Sequence, residues 1–397
     1  MKHSSSSLST AARIMSSFAA DTGLSGSAGS SQRYLWTDAF AVCNFLGLFE
    51  ETGDAEFRNL ALRLVRQVHL TLGRYREDDS RQGWISGLGD AEGQAHPTIG
   101  GLRIGKKLPE RRPEEPFDER GEWDRDGQYY HYLTRWMHAL YRTWQTTGQV
   151  GYLQWAEELA LTANERFIHH SPVDGRPYVL WKMSIDLSRP LVSSMGHHDP
   201  LDGWTACLRL LRAGETADLR FEALRPQLER LDRICRGRSW ATADPLGLGG
   251  LLCDAGLLAL LAAEGVGRAR IRLEEVMQAA IQGLSDYAKS HAEALPAAYR
   301  LAFRELGLAI GLKGVPQWRR FLAKARRQPG RDPEPDLPGL GRKLSSYGFL
   351  AEDIEKFWSQ EKNQATRTWQ EHCDINRVML ATCLVPGGYL PFYNSVP

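Results

Sequence analysis

The chain alternates between two kinds of apolar run, and both have the spacing of α-helices. One kind is apolar on nearly every face, as in YLWTDAFAVCNFLGLFEETG from residue 34 and LGLGGLLCDAGLLALLAAEG from residue 246. The other kind is charged and amphipathic, as in AEFRNLALRLVRQVHLTL at residues 55–72. A helix that is apolar all round must be covered on every side, whereas an amphipathic helix buries only one face. The alternation therefore predicts inner helices, each with an outer partner.

Six runs are of the more apolar kind, and they begin near residues 34, 128, 199, 246, 296 and 368. The first five are followed by a charged partner, at residues 55–72, 151–168, 217–234, 270–288 and 315–325. Glycine-centred turns such as ETGD and TTGQVGY join the members of a pair, since glycine readily takes the left-handed conformation at a helix end. The sixth partner is either residues 348–360 or a helix near the amino terminus. The pattern predicts a closed ring of six helical hairpins.

Composition bounds the class of protein. Hydrophobic residues make up 42% and charged residues 24%, the balance of an ordinary globular domain. The net charge of +1 gives no electrostatic attraction to nucleic acid. The apolar run at residues 245–263 opens with Gly247, Gly249 and Gly250 and contains Asp254, so we expect a core helix and not a membrane span. Asp254 then either faces a wet lumen or pairs with a cation such as Arg300 or Arg304.

The amino terminus and the cysteines bear on domains and location. Residues 1–30 are rich in Ser, Ala and Gly, and we predict a mobile leader there with room for one short helix. Residues 31–397 are predicted to be a single domain, although the length alone would suggest two or three. The six cysteines are scattered without a CxxC pair, which predicts free buried thiols. With no signal-peptide core near the start, we expect a cytoplasmic protein.

Six such hairpins resemble the alpha/alpha toroid that six-hairpin glycosidases, N-acylglucosamine 2-epimerases and a few lyases and isomerases share. The resemblance covers residues from about 33 to 390 and rests on the number and alternation of helices, not on a short motif. It implies an all-α fold, an (α/α)6 toroid with long loops at one mouth. It also implies that substrate binds where the inner helices start. A shared fold does not fix the chemistry, so the site must be argued from its own residues.

Residues with catalytic or binding chemistry are concentrated at these helix starts. Two long insertions, residues 77–127 and 171–199, lead into the second and third inner helices and should emerge at the same mouth. The candidate catalytic residues are Asp124, Asp199, His198 and His131. The candidate substrate-binding residues are Trp36, Asp38, Trp123, Glu122, Tyr130, His197, Trp204, Tyr347, His372 and Asp374. Asp38 and Asp374 are predicted to be neighbours if the ring closes between its first and last inner helices.

Three functions fit these residues. In a glycoside hydrolase, one carboxyl protonates the leaving oxygen and a second activates water, with Asp124 and Asp199 as the first candidates. In a sugar epimerase or isomerase, His131, His198 or His372 moves a proton beside a carbonyl. In the third function, the toroid binds a ligand and catalyses no reaction. We expect a small-molecule or oligosaccharide substrate, neither nucleic acid nor membrane as a partner, and no cofactor. No metal is expected either, because the adjacent histidines lack helical HxxxH spacing.

Overall fold

A computed structural model describes residues 5–26, 32–323 and 336–390, and these are mostly helical. The predicted all-α class is confirmed. The chain divides into two compact units: a first unit, Ala19–Gly237, and a second unit, Met1–Phe18 together with Arg238–Pro397. Helix α1 (Ser5–Asp21) lies within the predicted leader and spans the division between the units. The prediction of one domain from residue 31 stays a prediction.

The first unit contains three long helical hairpins. Two of the predicted glycine turns are confirmed, because Gly53 and Gly148 end their helices with φ of 73° and 70°. In each turn the glycine N–H donates to a carbonyl of the helix it closes. The helices of this unit are α2 (Leu35–Thr52), α3 (Ala55–Leu72), α4 (Asp90–Ala95), α5 (Glu119–Asp124), α6 (Tyr130–Thr147), α7 (Val150–Phe167), α8 (Asp199–Thr216) and α9 (Leu224–Cys235). The more apolar members, α2, α6 and α8, pack side by side, and each contacts the charged helix that follows it.

Short strands tie the two insertions of this unit together. The strands are β1 (Gln128–Tyr129), β2 (Ile168–His170), β3 (Pro177–Val179), β4 (Lys182–Met183) and β5 (Pro190–Val192). β4 pairs antiparallel with both β1 and β5, and β2 pairs antiparallel with β3. Arg81 of one insertion donates to Asp186 of the other over 2.9 Å. The two insertions therefore contact each other, and β1, which leads into α6, pairs with a strand of the second insertion.

The second unit is built around two apolar helices that approach closely. Its helices are α10 (Pro245–Ala263), α11 (Gly267–Lys289), α12 (Ala302–Leu322), α13 (Leu337–Ser345), α14 (Gly348–Trp358), α15 (Glu361–Gln364), α16 (Arg367–Glu371) and α17 (Cys373–Leu384). α10 and α12 cross at glycines: a Cβ on Gly249 would overlap the carbonyl oxygen of Gly307. By length and composition alone α10 is able to cross a membrane, yet 67% of its apolar window is buried. That burial is typical of a core helix.

The predicted fifth hairpin is wrong in one respect. The segment 315–325 does not turn back as a separate partner, because α12 continues through Pro316 to Leu322. Trp318 and Phe321 extend the buried stripe of the helix beyond the proline. Their burial outweighs the hydrogen bond that Pro316 cannot donate. Instead α13 and α14 pack against α12, and α14 falls within residues 348–360, the segment proposed for the sixth partner.

The expected partners of Asp254 are also wrong. Arg300 donates to both carboxylate oxygens of Glu305, over 2.8 and 2.7 Å. Arg304 pairs with Asp244, which caps the start of α10. Both arginines are therefore committed to nearer carboxylates. The prediction about the cysteines is confirmed, since all six are free thiols and four of them are buried.

Candidate active site

The starts of α2 and α6, with the residue before β4, form an aromatic wall in the first unit. We use that name for Tyr34, Trp36, Tyr129, Tyr132 and Trp181. Tyr129 stacks on Trp181 with ring centroids 5.0 Å apart, and Trp36 packs against Tyr132 at 5.3 Å. The hydroxyls of Tyr34 and Tyr132 are 2.6 Å apart and share a hydrogen bond. Such a surface suits a ligand with an apolar face and polar edges.

Local backbone structure holds this wall in place. Tyr129 ends β1 and is opposite Lys182 of β4, so Trp181 lies beside the start of α6. The Tyr130 N–H donates to the Trp181 carbonyl over 3.3 Å. Trp36 is on the first turn of α2, which follows the extended Tyr34. Short strands and helix starts therefore fix the rings before any ligand arrives.

His131 and Asp199 lie beside the aromatic wall and face each other. His131 Nδ1 is 3.8 Å from Asp199 Oδ1, and the two side chains are 23% and 6% exposed. The His131 ring stacks on Tyr129 at 5.4 Å, and the edge of Trp36 approaches it at 5.9 Å. The imidazole is the more accessible of the two groups, so it is the one that a ligand would meet first.

Burial sets the protonation of this pair. Loss of hydration lowers the pKa of His131 to about 4, with Asp202 opposing this and Arg135 adding to it. Burial raises the pKa of Asp199 well above its usual 3.8, and the negative charge of Asp202 raises it further. Burial therefore favours the neutral form of both groups, an imidazole able to take a proton and a carboxyl group whose proton is held more tightly than usual.

Asp202 differs from Asp199 because its carboxylate is paired with a cation. Both of its carboxylate oxygens accept from Arg135 Nη2, each over 3.0 Å. The Arg135 guanidinium also lies over the Trp36 ring, 5.8 Å from its centroid. Asp199 and Asp202 are three residues apart on α8 and therefore on the same face of the helix. The site holds one carboxyl without a cation and one carboxylate bound to a cation.

Several buried polar atoms around this pair have no hydrogen-bond partner within the described residues. They are Asp199 Oδ2, His131 Nδ1, Tyr129 Oη and Trp36 Nε1. Such atoms are rare in proteins because each costs free energy, and most buried polar atoms find a partner. Four of them on residues that line one site are expected where a ligand completes the hydrogen bonds.

A cleft of about 550 Å³ lies on the other side of Trp181. Trp123 packs its edge against Trp181 at 4.6 Å and is 48% exposed. The cleft is lined by these two rings and by Arg111, Phe117, Glu119, Glu122, Pro190, Leu191, Val192, Ser193 and Ser194. Its volume is within the range of small-molecule sites. Trp181 therefore borders both the His131–Asp199 pair and the cleft.

Four predicted binding residues are buried, and three of them are partnered by described residues. Glu122 forms ion pairs with Lys182 and Arg111 over 3.0 and 2.9 Å. The Tyr130 hydroxyl donates to Asn164 over 2.6 Å in the core, and Asp38 accepts from the Tyr34 N–H, so both side chains have structural roles. Glu122 also lines the cleft beside Trp181, and Trp204 is buried in α8, so their predicted binding roles stay predictions.

The remaining predicted residues of the first unit are nearer to solvent. Asp124 and His197 are exposed, and His198 precedes α8 with its ring 4.6 Å from that of His197. Within the described part of the chain, no three His, Cys, Asp or Glu side chains are grouped as metal ligands. Their predicted roles stay predictions.

The predicted residues of the second unit are not all at one end of it. The exposed His372 contacts Phe303 at the start of α12, at 5.5 Å. Trp358 also lies there, since its indole donates to Glu305 over 2.7 Å. Tyr347 precedes α14, and an eleven-residue helix spans roughly 15 Å, so Tyr347 is far from Trp358. The predicted binding role of Tyr347 stays a prediction. The proximity of Asp374 to Asp38 stays a prediction.

Three residues of the site were missed by sequence reasoning. Tyr132 and Arg135 are on the first turns of α6, and Arg135 is four residues after His131. That spacing places both on one helix face, which was a usable signal. Trp181 precedes a strand of two residues, and no sequence pattern predicted that it would stack on Tyr129.

Comparison with known proteins identifies the fold. No family model and no curated protein matches the chain. An alpha-1,6-mannanase from Salegentibacter sp. HEL1_6 does match in structure, with a TM-score of 0.53 at 12% identity over 95% of this chain and 98% of that chain. Its inactive variant in complex with alpha-1,6-mannotetrose also has a TM-score of 0.53, at 11% identity over 96% of this chain and 99% of that chain. The chain has the (α/α)6 toroid fold.

The toroid likeness agrees with the architecture that the sequence predicted. Its extent, 95% of this chain, matches the resemblance inferred from helix alternation over residues 33–390. At 12% identity it shows the fold alone. What the toroid does must therefore be inferred from its site.

Proposed function

We propose that this toroid is a carbohydrate-active enzyme that works at His131 and Asp199. The observation that carries the proposal is the pair itself: an imidazole 3.8 Å from a buried carboxyl group, bordered by the aromatic wall, with burial favouring the neutral form of both. Strongly shifted pKa values in a site of this kind are typical of acid–base catalysis. The mannanase with the same fold supports carbohydrate as the substrate class.

The shape of the site supports a sugar with more than one ring. Trp36 and Trp181 offer flat apolar faces, and the unpartnered Tyr129 hydroxyl and Trp36 indole N–H offer hydrogen bonds for sugar hydroxyls. The cleft beyond Trp181 leaves room for a second sugar ring against Trp123. The mannanase variant was captured with alpha-1,6-mannotetrose, which supports an oligosaccharide ligand.

The protonation of the pair favours epimerisation or isomerisation of a free sugar. His131 would accept the proton from the carbon next to the carbonyl group, and Asp199 would donate its proton to the carbonyl oxygen. The C–H electron pair then forms the double bond of a neutral enediol. His131 then returns its proton to the other face of the same carbon or to the neighbouring carbon, and an enediol hydroxyl gives its proton to Asp199, which re-forms the carbonyl group and the starting state of the enzyme. Burial favours, in each group, the protonation state that this step requires.

Glycoside hydrolysis is the second candidate, because a protonated Asp199 also suits a general acid. The second carboxylate is the difficulty. Asp202 has both oxygens bound by Arg135, and Asp124 is exposed. The mannanase variant in which two adjacent aspartates are replaced is inactive. The sole adjacent aspartates of this sequence, Asp78 and Asp79, pair with arginines.

Two assays separate the candidates. Proton exchange into a panel of free aldoses and reducing disaccharides is followed by NMR in deuterated water. Hydrolysis is followed with alpha-1,6-mannotetrose and a panel of aryl glycosides. For an isomerase, His131→Gln and Asp199→Asn should each reduce exchange about a hundredfold or more. His170→Gln, which replaces an exposed histidine at the end of β2, is the matched control and should retain full activity.

The outcomes are distinct. Hydrolysis that is lost in Asp199→Asn and kept in His131→Gln would replace the isomerase by the hydrolase. If neither panel gives turnover or exchange, and neither gives saturable binding, the proposal of a carbohydrate-active enzyme is wrong.

A further inference from the structure

A second cleft, of about 540 Å³, lies between the outer helices α3 and α7 of the first unit. None of its described lining residues belongs to the candidate active site. They are Leu62, Arg63, Val65, Arg66, His69, Leu70, Trp84, Gln94, Pro97, Tyr152 and Trp155. Its volume is that of a site for a small organic molecule. The charged groups and hydrogen-bond donors of these residues indicate which kind of molecule the cleft would bind.

The aromatic side chains of this cleft are held rigidly. Trp155 meets His69 and Tyr152 edge to face, at 5.1 and 5.2 Å. The Trp155 indole N–H donates to the Ala95 carbonyl over 2.8 Å. His69 Nε2 accepts from the Trp136 indole over 3.0 Å, so its tautomer is fixed as well. Rings that are already ordered lose little entropy when a flat ligand packs on them.

The polar groups of the cleft are donors, and the charged ones are cations. Arg63 and Arg66 are the charged residues among its described lining, where no carboxylate is present. Arg66 is exposed and has no ion pair or hydrogen bond with described residues. The Trp84 indole Nε1 is buried and lacks a hydrogen-bond partner there. Burial lowers the pKa of His69 to about 3, so His69 adds no positive charge near neutral pH.

We propose that this cleft binds a small ligand that combines a planar apolar ring with an acidic group. The ring would pack on Trp155 and Tyr152, between the aliphatic side chains of α3. The acidic group would pair with Arg66 and lie within reach of Arg63. Sugars fit less well, because their many hydroxyls need more polar partners than these residues provide. The site is independent of the proposed enzymatic function.

The test uses the whole protein and two dyes that differ in charge. The anionic probe is 8-anilinonaphthalene-1-sulfonate, and the neutral probe is N-phenyl-1-naphthylamine. Each is titrated by fluorescence, and stoichiometry is measured by calorimetry. Arg66→Gln removes the cation, and Leu70→Trp narrows the rim at a position that is already 36% exposed. Arg58→Gln, on α3 and outside the lining, is the matched control for charge.

We expect one anionic dye per chain, and circular dichroism should report the native fold in every variant. Arg66→Gln should weaken binding of the anionic dye about twofold to fivefold, the upper part of the range for an exposed ion pair, and leave the neutral dye unchanged. Leu70→Trp should weaken both dyes, and Arg58→Gln neither. Dye binding that is absent, that has no fixed stoichiometry, or that is the same in Arg66→Gln and Leu70→Trp as in the original chain would overturn the proposal.

Discussion

Replacing His131 or Asp199 should change the pH dependence of stability in opposite directions. The pKa of His131 falls from its ordinary 6.5 to about 4 on folding, so the unfolded chain binds this proton more readily. Stability from His131 is then complete above pH 6.5 and is lost as the pH falls towards about 4. Asp199 has a raised pKa, so the folded chain binds its proton more readily. Stability from Asp199 is lost as the pH rises above 3.8.

The magnitude follows from proton linkage. Each pH unit between the folded and unfolded pKa values changes the free energy of unfolding by about 1.4 kcal/mol. For His131, the window from 6.5 to about 4 amounts to about 3 kcal/mol, and its side chain is buried enough for little screening. His131 and Asp199 are 3.8 Å apart, so their effects are coupled and each is measured in its own single variant. In the original chain the two effects oppose each other as the pH changes.

The assay is urea unfolding at several pH values between about 4 and 6.5, followed by circular dichroism. The stability lost in His131→Gln should increase with pH by about 1.4 kcal/mol per unit. For Asp199→Asn the difference should change with the opposite sign, so this variant gains on the original chain as the pH rises above 3.8. Tyr132→Phe is the control, because a tyrosine does not titrate in this range. Differences that are independent of pH in both variants would refute the assignment of protonation at this site.

Two further predictions concern packing and charge. In chemical unfolding, Gly249→Ala should destabilise the second unit by about 1–3 kcal/mol, because the added Cβ meets the backbone of Gly307. The control Gly151→Ala, with open space around it, should be neutral or stabilising. Equal effects of the two changes would contradict a close helix crossing. Arg135→Met should cost about 3–5 kcal/mol because Asp202 would keep a buried charge without its cation, and the additional change Asp202→Leu should restore much of this loss. A double variant as unstable as the single one would show that the cost does not come from the unpaired charge.

The sequence predicted the architecture well because helical periodicity is a local signal. Glycine turns after α2 and α6 were recognised from single residues, and the long apolar helices from their composition. The prediction for the segment around Pro316 failed because the deciding interaction is not local. A proline predicts a break, but the tertiary burial of Trp318 and Phe321 overrides that preference. A short-range signal cannot report how much burial a segment gains.

The sequence predicted the location of the site better than it predicted which residues form it. Glu122 and Tyr130 have the right chemistry at the right helix start, but sequence cannot tell a side chain that faces a ligand from one that faces the core. His131 and Asp199 were named from the sequence, and yet their contact joins two different helices. Trp181 was missed because its role depends on strand pairing between distant insertions.

Water exclusion is the property that makes His131 and Asp199 a better candidate pair than the exposed acids nearby. An exposed carboxylate such as that of Asp124 is in contact with water. Asp199 is covered by Gly196, and no cation is bound to it among the described residues. Desolvation then favours the neutral carboxyl and the neutral imidazole together over their charged forms. A substrate that reaches this pair would therefore meet a proton donor and a proton acceptor at once.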